Sequence, residues 1–557
     1  MKPLKMAVFA IAIAALYLYG LDYIPLLAID EPWYANTAHN IAHGLGLINT
    51  NAGERGGDVF CLYPLLLGLW FKLFPTTLWA ARLFSVALLA PALFGLSKLT
   101  GTVSGHPTFS HPTPGPSPFP DGNRRGEPTF CLNAKFPSLF CKNGEGPGVG
   151  WLNIAVFALN PVIYLLFRRA RPEALIVTLW IWALYCWQKS RETNHPGWTA
   201  VAWTLALLSV IAHPYALAGV ITLGFLEIPR LKTVPNKLTH LASILLPGLL
   251  IPALFFLGLW LSNSLTPLDI LHQLTHSDRG LNAQTDFIVQ IGHNIQRFIL
   301  DYTLNGKRAF IAIIELALLI FAFQRTRHPL FAFGLLYLGL SLIIFHPLFR
   351  WGVGPVLIPV TLAWGFLFQK TTLLAPGSGS PGSAASGSTD PGCVKPKGKS
   401  EEKTVRRLSM GFLFKIILII YVIAQTTSIG WLIMRHHHNT PYRNIETWVQ
   451  NTVPKDSTVI TQMELWFPLQ THPILTQTTR HPGRPTADYV LLAQATDQLS
   501  PTFGTARPPV TSTYTGYFTT YSEATLGPPM AILNTHGYGT LKLWKFQNPN
   551  RMGMHQK

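Results

Sequence analysis

Apolar residues run through this chain in blocks of membrane length, separated by short polar connections. At about 20 apolar residues per bilayer-crossing helix, fewer where polar ends sit among headgroups, about eleven blocks qualify. They lie near 6–29, 77–99, 151–167, 173–188, 198–212, 215–229, 239–261, 309–324, 329–345, 352–369 and 409–434. Two stretches, about 101–150 and 371–407, are rich in Pro, Gly and Ser and hold too little apolar surface to fold, which predicts disordered insertions. After 436 the pattern changes. "PYRNIETWVQNTV" places Ile445, Trp448 and Val449 at helical spacing, and "STVITQM", "ADYVLLAQA" and "LKLWKF" are short β-prone runs. The pattern therefore predicts an all-α polytopic membrane domain over 1–435, with surface helices in its first outer loop, followed by a small α/β outer domain over 436–557.

Composition supports the membrane reading. The chain is 48% hydrophobic and only 12% charged, and soluble domains carry about twice that charge. The 43 Lys and Arg against 25 Asp and Glu give a net charge of +18. In a soluble protein that excess would suggest a nucleic-acid surface; here the charges fall between apolar blocks, so they read as orientation signals and no nucleic acid is expected. If the N-terminus is cytoplasmic, the basic connections (Lys98 to Lys142, Lys189 and Arg191, Arg230 to Lys237, Arg325 and Arg327, Lys370 to Arg407) all fall inside. The stretch starting at Asp30, "FRRARPE" at 167–173, "AHPYA" at 212–216, segment 262–308, "HPLFRW" at 346–351 and the tail then face out. The N-terminus has the basic start and apolar core of a signal peptide without a clear cleavage site, and reads as an uncleaved first helix. Five cysteines, at 61, 131, 141, 186 and 393, form no CxxC pair and are odd in number, against a disulfide or zinc framework. "GCVKPKGKS" fails as a phosphate loop on glycine spacing and the lack of a preceding strand.

Candidate chemistry gathers on the outer connections. Asp30 and Glu31 end the first block and open an amphipathic helix, with Tyr34, Ala38, Ile41 and Ala42 as its apolar stripe and Asn36, His39, Asn40 and His43 as its wet side, closed by Gly44. The pair has two readings: an N-cap with a helix-dipole partner, or catalytic carboxylates. Arg168, Arg169 and Arg171 with Glu173, and Arg350 beyond another block, place arginine where the positive-inside pattern disfavours it. Snorkelling to headgroups is one reason and fits Arg168; grip on an anionic ligand is the other. An outward acid facing outward arginines suits a lipid-phosphate sugar donor. The acid takes the proton of an attacking hydroxyl and the arginines stabilise the departing phosphate. No DxD pair suited to a metal–nucleotide donor occurs.

"DEPWYANTAHNIAHG" after the first block, "YPLLLGLWFKLFP" at 63–75, "RRARPEAL" at 168–175 and "HPLFRWGVGPVLIPV" at 346–360 resemble the GT-C membrane glycosyltransferases, in the branch of protein O-mannosyltransferases and lipid A aminoarabinose transferases. The resemblance implies a polyprenyl-phosphate-linked sugar donor and inverting transfer to an envelope acceptor on the outer face of a bacterial inner membrane. It also implies Asp30 as base or acceptor-orienting group, with Arg350 near the donor phosphate. The expected site is Asp30 and Glu31 as catalytic pair, Arg171 and Arg350 on the phosphate, and Glu173, His346 and Tyr63 in support. One departure stands out: where aminoarabinose transferases carry an acidic-basic-proline run, this chain has "DVFCLYPLL", with Asp58 but no lysine. No cofactor is called for; a divalent metal is left open but not indicated.

Other signals read as structural. His39 and His43 have metal-ligand spacing without a glutamate between them, and read as the hydrated helix side. "HHH" at 436–438 fits the headgroup layer, and His213 and His346, each before a proline, fit helix ends. Asp22 sits near the outer end of the first block, where it faces a cavity or reaches water. Ile288, Ile291, Ile295, Phe298 and Tyr302 oppose His293, Asn294, Arg297 and Asp301 in a second surface helix with the makings of a lid. The rival class is a transporter or lipid-linked sugar flippase, which would carry midplane charges and internal repeats; a membrane scaffold is the third.

Overall fold

The computed structural model describes residues 3–27, 30–50, 54–55, 61–104, 149–261, 287–302, 309–344, 350–373, 398–461, 465–472, 474–476, 488–494 and 528–545. The fold is mostly helical, and its core is one continuous set of buried apolar side chains running from Ile13 in the first helix to Leu543 in the last strand. By length and composition, three described helices can cross a membrane, Leu78–Thr102, Lys237–Gly258 and Phe412–His436, with a fourth if a bent pair counts as one span; five shorter apolar helices accompany them. Leu238, Leu245, Leu246, Leu249 and Leu254 stand exposed along the Lys237–Leu261 helix. A contiguous apolar surface of that kind is stable against lipid, not water.

Local chemistry fixes the helix borders. Thr77 caps the Leu78–Ala87 helix by accepting from the Ala80 N–H, and Pro196 and Pro161 occupy first turns, where their missing N–H costs nothing. Two borders differ from the pattern of the sequence. The block at 151–167 is not one rod: Val149–Ala158 and Pro161–Phe167 meet at 70°, with Asn160 accepting from the Val162 and Ile163 amides as the new cap. The block at 6–29 ends its helix at Leu18, and residues 19–27 form an irregular turn that carries Asp22. Gly20 in the left-handed region and Pro25 prevent the helix from continuing.

Of the two insertions, residues 105–148 and 374–397 lie outside the described residues. The last long helix begins at Gly398, so the end of the second insertion is helical. Beyond it, five strands form a mixed sheet in the order Ile474–Thr476, Val459–Thr461, Tyr489–Gln494, Gly539–Lys545, Ala531–Thr535. The first three run parallel, Gly539–Lys545 is antiparallel to both its neighbours, and helix Tyr442–Thr452 buries Tyr442, Ile445 and Val449 beside them.

Candidate active site

The site is built where the turn 19–27, the helix Asp30–Ala42, the helix Leu78–Ala87 and the loop 168–172 meet. The bend at Asn160 brings the end of the Pro161–Phe167 helix, and with it Arg168 to Arg171, against that turn. Asp30 and Glu31 are successive on one helix, so their side chains leave it about 100° apart. They enter different surroundings.

Asp30 Oδ2 accepts from Arg171 Nη1 at 2.8 Å, and its side chain is 34% exposed. Arg171 is held from behind by Glu173, with Nη2 to Oε1 at 2.7 Å and Nε to Oε2 at 3.2 Å. Burial works against the charge of Arg171, but Glu173 and Asp30 outweigh it and hold its proton more tightly than usual. Its charge is divided between two carboxylates, one sealed and one open.

Glu31 is fully buried. Arg82 meets it as a fork, Nε to Oε2 at 2.8 Å and Nη2 to Oε1 at 2.9 Å, and the Ala170 N–H adds a bond of 3.0 Å. Burial alone would raise its pKa, yet the charges of Arg82 and Arg169 with these hydrogen bonds keep it below the usual carboxylate range. Arg82 Nη1 also donates to the carbonyls of Leu21 and Pro25, at 2.8 and 2.9 Å. Arg168, read from the sequence as a snorkelling residue, is instead fully buried. Its guanidinium donates to the carbonyls of Leu16, Tyr17, Tyr19 and Ile24 at 2.6 to 3.0 Å. It thereby caps the C-terminal end of the first helix, where orphan carbonyls and the helix dipole favour a cation.

The other expected site residues fall as follows. Tyr63 is buried under the cluster, its hydroxyl 3.0 Å from that of Ser85 and its ring edge-on to Tyr34 at 5.8 Å. Arg350 opens a 3-10 turn, Arg350–Val356, that packs on helices Pro161–Phe167 and Glu173–Thr193, close in the fold to the arginine loop. His346 and Asp58 lie outside the described residues. The wet side assigned to the Asp30–Ala42 helix is largely dry: Asn36 and Asn40 are buried, bonded to Thr50 and to the Ile48 carbonyl at 2.8 and 2.7 Å. The His39 ring lies tilted beside that of His43 at 4.1 Å, with Nδ1 3.2 Å from the Thr76 hydroxyl; burial, then His43, lowers its pKa to about 4. His213 caps the turn at Pro214 by accepting from the Tyr215 N–H. In the Phe287–Tyr302 helix Ile288, Val289 and Ile295 are exposed, while Asn294 is buried against the Leu342 carbonyl at 2.8 Å.

Arg82 is a member of this cluster that the sequence pattern did not single out. Its signal was present: one charged residue in the apolar run "LWAARLFSVALL", where an ionisable group needs an internal partner.

This arrangement of helices and loops is a fold shared with solved structures. Among solved structures, the chain is similar to ArnT from Cupriavidus metallidurans bound to undecaprenyl phosphate, with a TM-score of 0.56 at 11% identity over 98% of each chain. It is also similar to ArnT from the same organism in the apo state, with a TM-score of 0.54 at 12% identity over 88% of this chain and 94% of that one. No protein-family model and no curated protein matches the sequence.

Proposed function

We propose that the chain is an inverting glycosyltransferase that moves a sugar from a polyprenyl-phosphate-linked donor to an envelope acceptor, on the outer face of a bacterial inner membrane crossed about eleven times. Asp30 carries the reading: it is the carboxylate of the cluster that combines an ionic anchor with an opening to solvent. The acceptor hydroxyl attacks the anomeric carbon, the bond from that carbon to the phosphate oxygen breaks, polyprenyl phosphate leaves, and Asp30 takes the hydroxyl proton. Arg171 and Glu173 hold Asp30 in place. Arg350, on the neighbouring turn, is assigned to the departing phosphate. Glu31 anchors rather than reacts, because both its oxygens are committed to Arg82 and Ala170. The ArnT bound to undecaprenyl phosphate supports a lipid phosphate of that class as the donor's carrier.

A transporter reading would draw on Glu315, buried inside the Ala309–Thr326 helix with Tyr421 at 2.5 Å and Asn160 at 3.4 Å. The two readings part in reconstituted vesicles given polyprenyl-phosphate sugars, with mass spectrometry of the acceptor fraction. The enzyme forms a new glycosidic bond, and Asp30→Asn lowers that rate by about 10² to 10⁴, the range for losing a general base. Full transfer by Asp30→Asn, or movement of the lipid with no new bond in the wild type, overturns the reading.

A further inference from the structure

The turn 19–27, which delivers the chain to Asp30, has few hydrogen bonds of its own. Its carbonyls are gripped from one side by the buried arginines, Leu21 and Pro25 by Arg82, Tyr19 and Ile24 by Arg168. On the other side it meets the C-terminal sheet. Asn439 Nδ2 donates to the Tyr23 carbonyl at 3.3 Å, and the Leu27 N–H donates to the Tyr538 hydroxyl at 3.3 Å. Leu27 is three residues before Asp30.

Tyr538 stands in the hairpin that joins Ala531–Thr535 to Gly539–Lys545. The tip is bonded to the segment that precedes helix Tyr442–Thr452. The Thr440 N–H donates to the His536 carbonyl and the His536 N–H to the Thr440 hydroxyl, both at 2.9 Å. The Tyr538 ring packs edge-on to Tyr442 at 5.7 Å, on the first helix after the membrane. Gly537 has φ +96, and a Cβ there would fall 2.8 Å from both Leu26 Cδ2 and Asn439 Oδ1. A side chain at 537 would therefore strain the backbone and displace Leu26 or Asn439, the residue that holds the Tyr23 carbonyl.

We propose that Tyr538 is a positioning residue for sugar transfer: the C-terminal hairpin presses the turn 19–27 onto the arginines and so fixes where Asp30 points. The C-terminal sheet is on this view part of the active site's frame. The proposal rests on the reading of Asp30 as the base. A small displacement is enough, since about 1 Å of misplacement at a reacting group costs on the order of 10²-fold in rate.

Full-length wild type, Tyr538→Phe and Gly537→Ala, with Ile532→Ser on the exposed face of the same hairpin as control, are compared in nanodiscs by two measurements. Hydrogen exchange of the peptide spanning residues 19–27 is expected to quicken in the first two variants and not in the control. Steady-state transfer, normalised to folded protein, is expected to lose roughly tenfold in kcat in both with the donor KM within about twofold, the signature of a group that orients the reacting centre. Unchanged exchange in both variants overturns the proposal, whatever the transfer result. Faster exchange with kcat per folded molecule unchanged overturns it as well, because the contact is then only structural. Absence of sugar transfer by the wild type defeats the base assignment instead, and leaves the exchange result to judge the contact.

Discussion

One helix, Glu173–Thr193, carries a buried ionic cluster at each end, about 25 Å apart at 1.5 Å per residue. At the far end Glu227 accepts from Trp187 Nε1, from Arg230 Nη1 at 3.2 Å and pairs with His240 Nε2 at 2.8 Å, while Arg230 Nη2 donates to the carbonyl and hydroxyl of Ser190. Every charged side chain there is at most 6% exposed. At the near end the same residue types produce an equally dense network around Glu31, Arg82, Arg171 and Glu173, but Asp30 reaches the surface. The difference is one of closure. A buried ion pair costs desolvation on both partners and is weak evidence for stability or for function. On the proposed reading, what separates a staple from a reactive site is whether one member is left where a substrate can meet it.

The comparison breaks most severely at Glu31. In Glu31→Gln, Arg82 keeps its carbonyl partners but loses its counter-charge, with Arg168, Arg169 and Arg171 close by. Removing one partner of a buried pair costs about 3–5 kcal/mol. We expect chemical unfolding in detergent to show a loss of that size, with transfer lost in step with the folded fraction. A stable Glu31→Gln protein with no transfer would return Glu31 to the catalytic pair.

Glu227→Gln should be milder, about 1–3 kcal/mol, because Arg230 still donates to Ser190 and the new amide can still accept from Trp187. Transfer per folded molecule should match the wild type. A fall in kcat with stability intact would show that the far cluster is not merely structural, and the contrast between the two ends would fail.

How far these clusters could be read in the sequence depended on what reveals a charge. Asp30 and Glu31 were legible because they end an apolar block, and the loop arginines because the orientation rule disfavours them. Arg82 was hidden by the block that contains it, since counting apolar residues tolerates one exception. The distinction between Asp30 and Glu31 was not legible at all: it arises from a helix rotation set by contacts with Leu78–Ala87 and Ala170, both distant in sequence. Asn36 and Asn40 were misread for a related reason, because a polar stripe faces water only if no other segment covers it, and residues 48–50 do. In the tail, strands Val459–Thr461, Tyr489–Gln494 and Gly539–Lys545 fall in or at the β-prone runs. Ile474–Thr476 and Ala531–Thr535 had too little period-2 contrast to mark them.

The smallest effect expected lies beside the near cluster, where Glu446 of the Tyr442–Thr452 helix sits near the Leu78 N–H at the head of the helix that carries Arg82. Burial, reinforced by the neighbouring charge of Asp22, raises its pKa from 4.5 to about 7 against the pull of that N–H. Arg443, on the same helix, lies 3.9 Å from Asp22 and is largely in solvent, so it offsets little. Between pH 4.5 and 7 the folded protein thus holds a proton at Glu446 that the unfolded chain has released. The stabilisation is whole below about 4.5 and is lost as pH rises through 7. His39 titrates the opposite way, neutral in the fold down to about 4, and loses stability as pH falls from 6.5. Comparison with Glu446→Gln isolates the first effect. Unfolding across pH 4.5 to 7.5 should show the variant gaining on the wild type as pH rises, with His39 common to both. Parallel curves would mean that the Glu446 carboxyl is already ionised in the fold and that the seam between the C-terminal helix and the arginine-bearing helix has no protonic component.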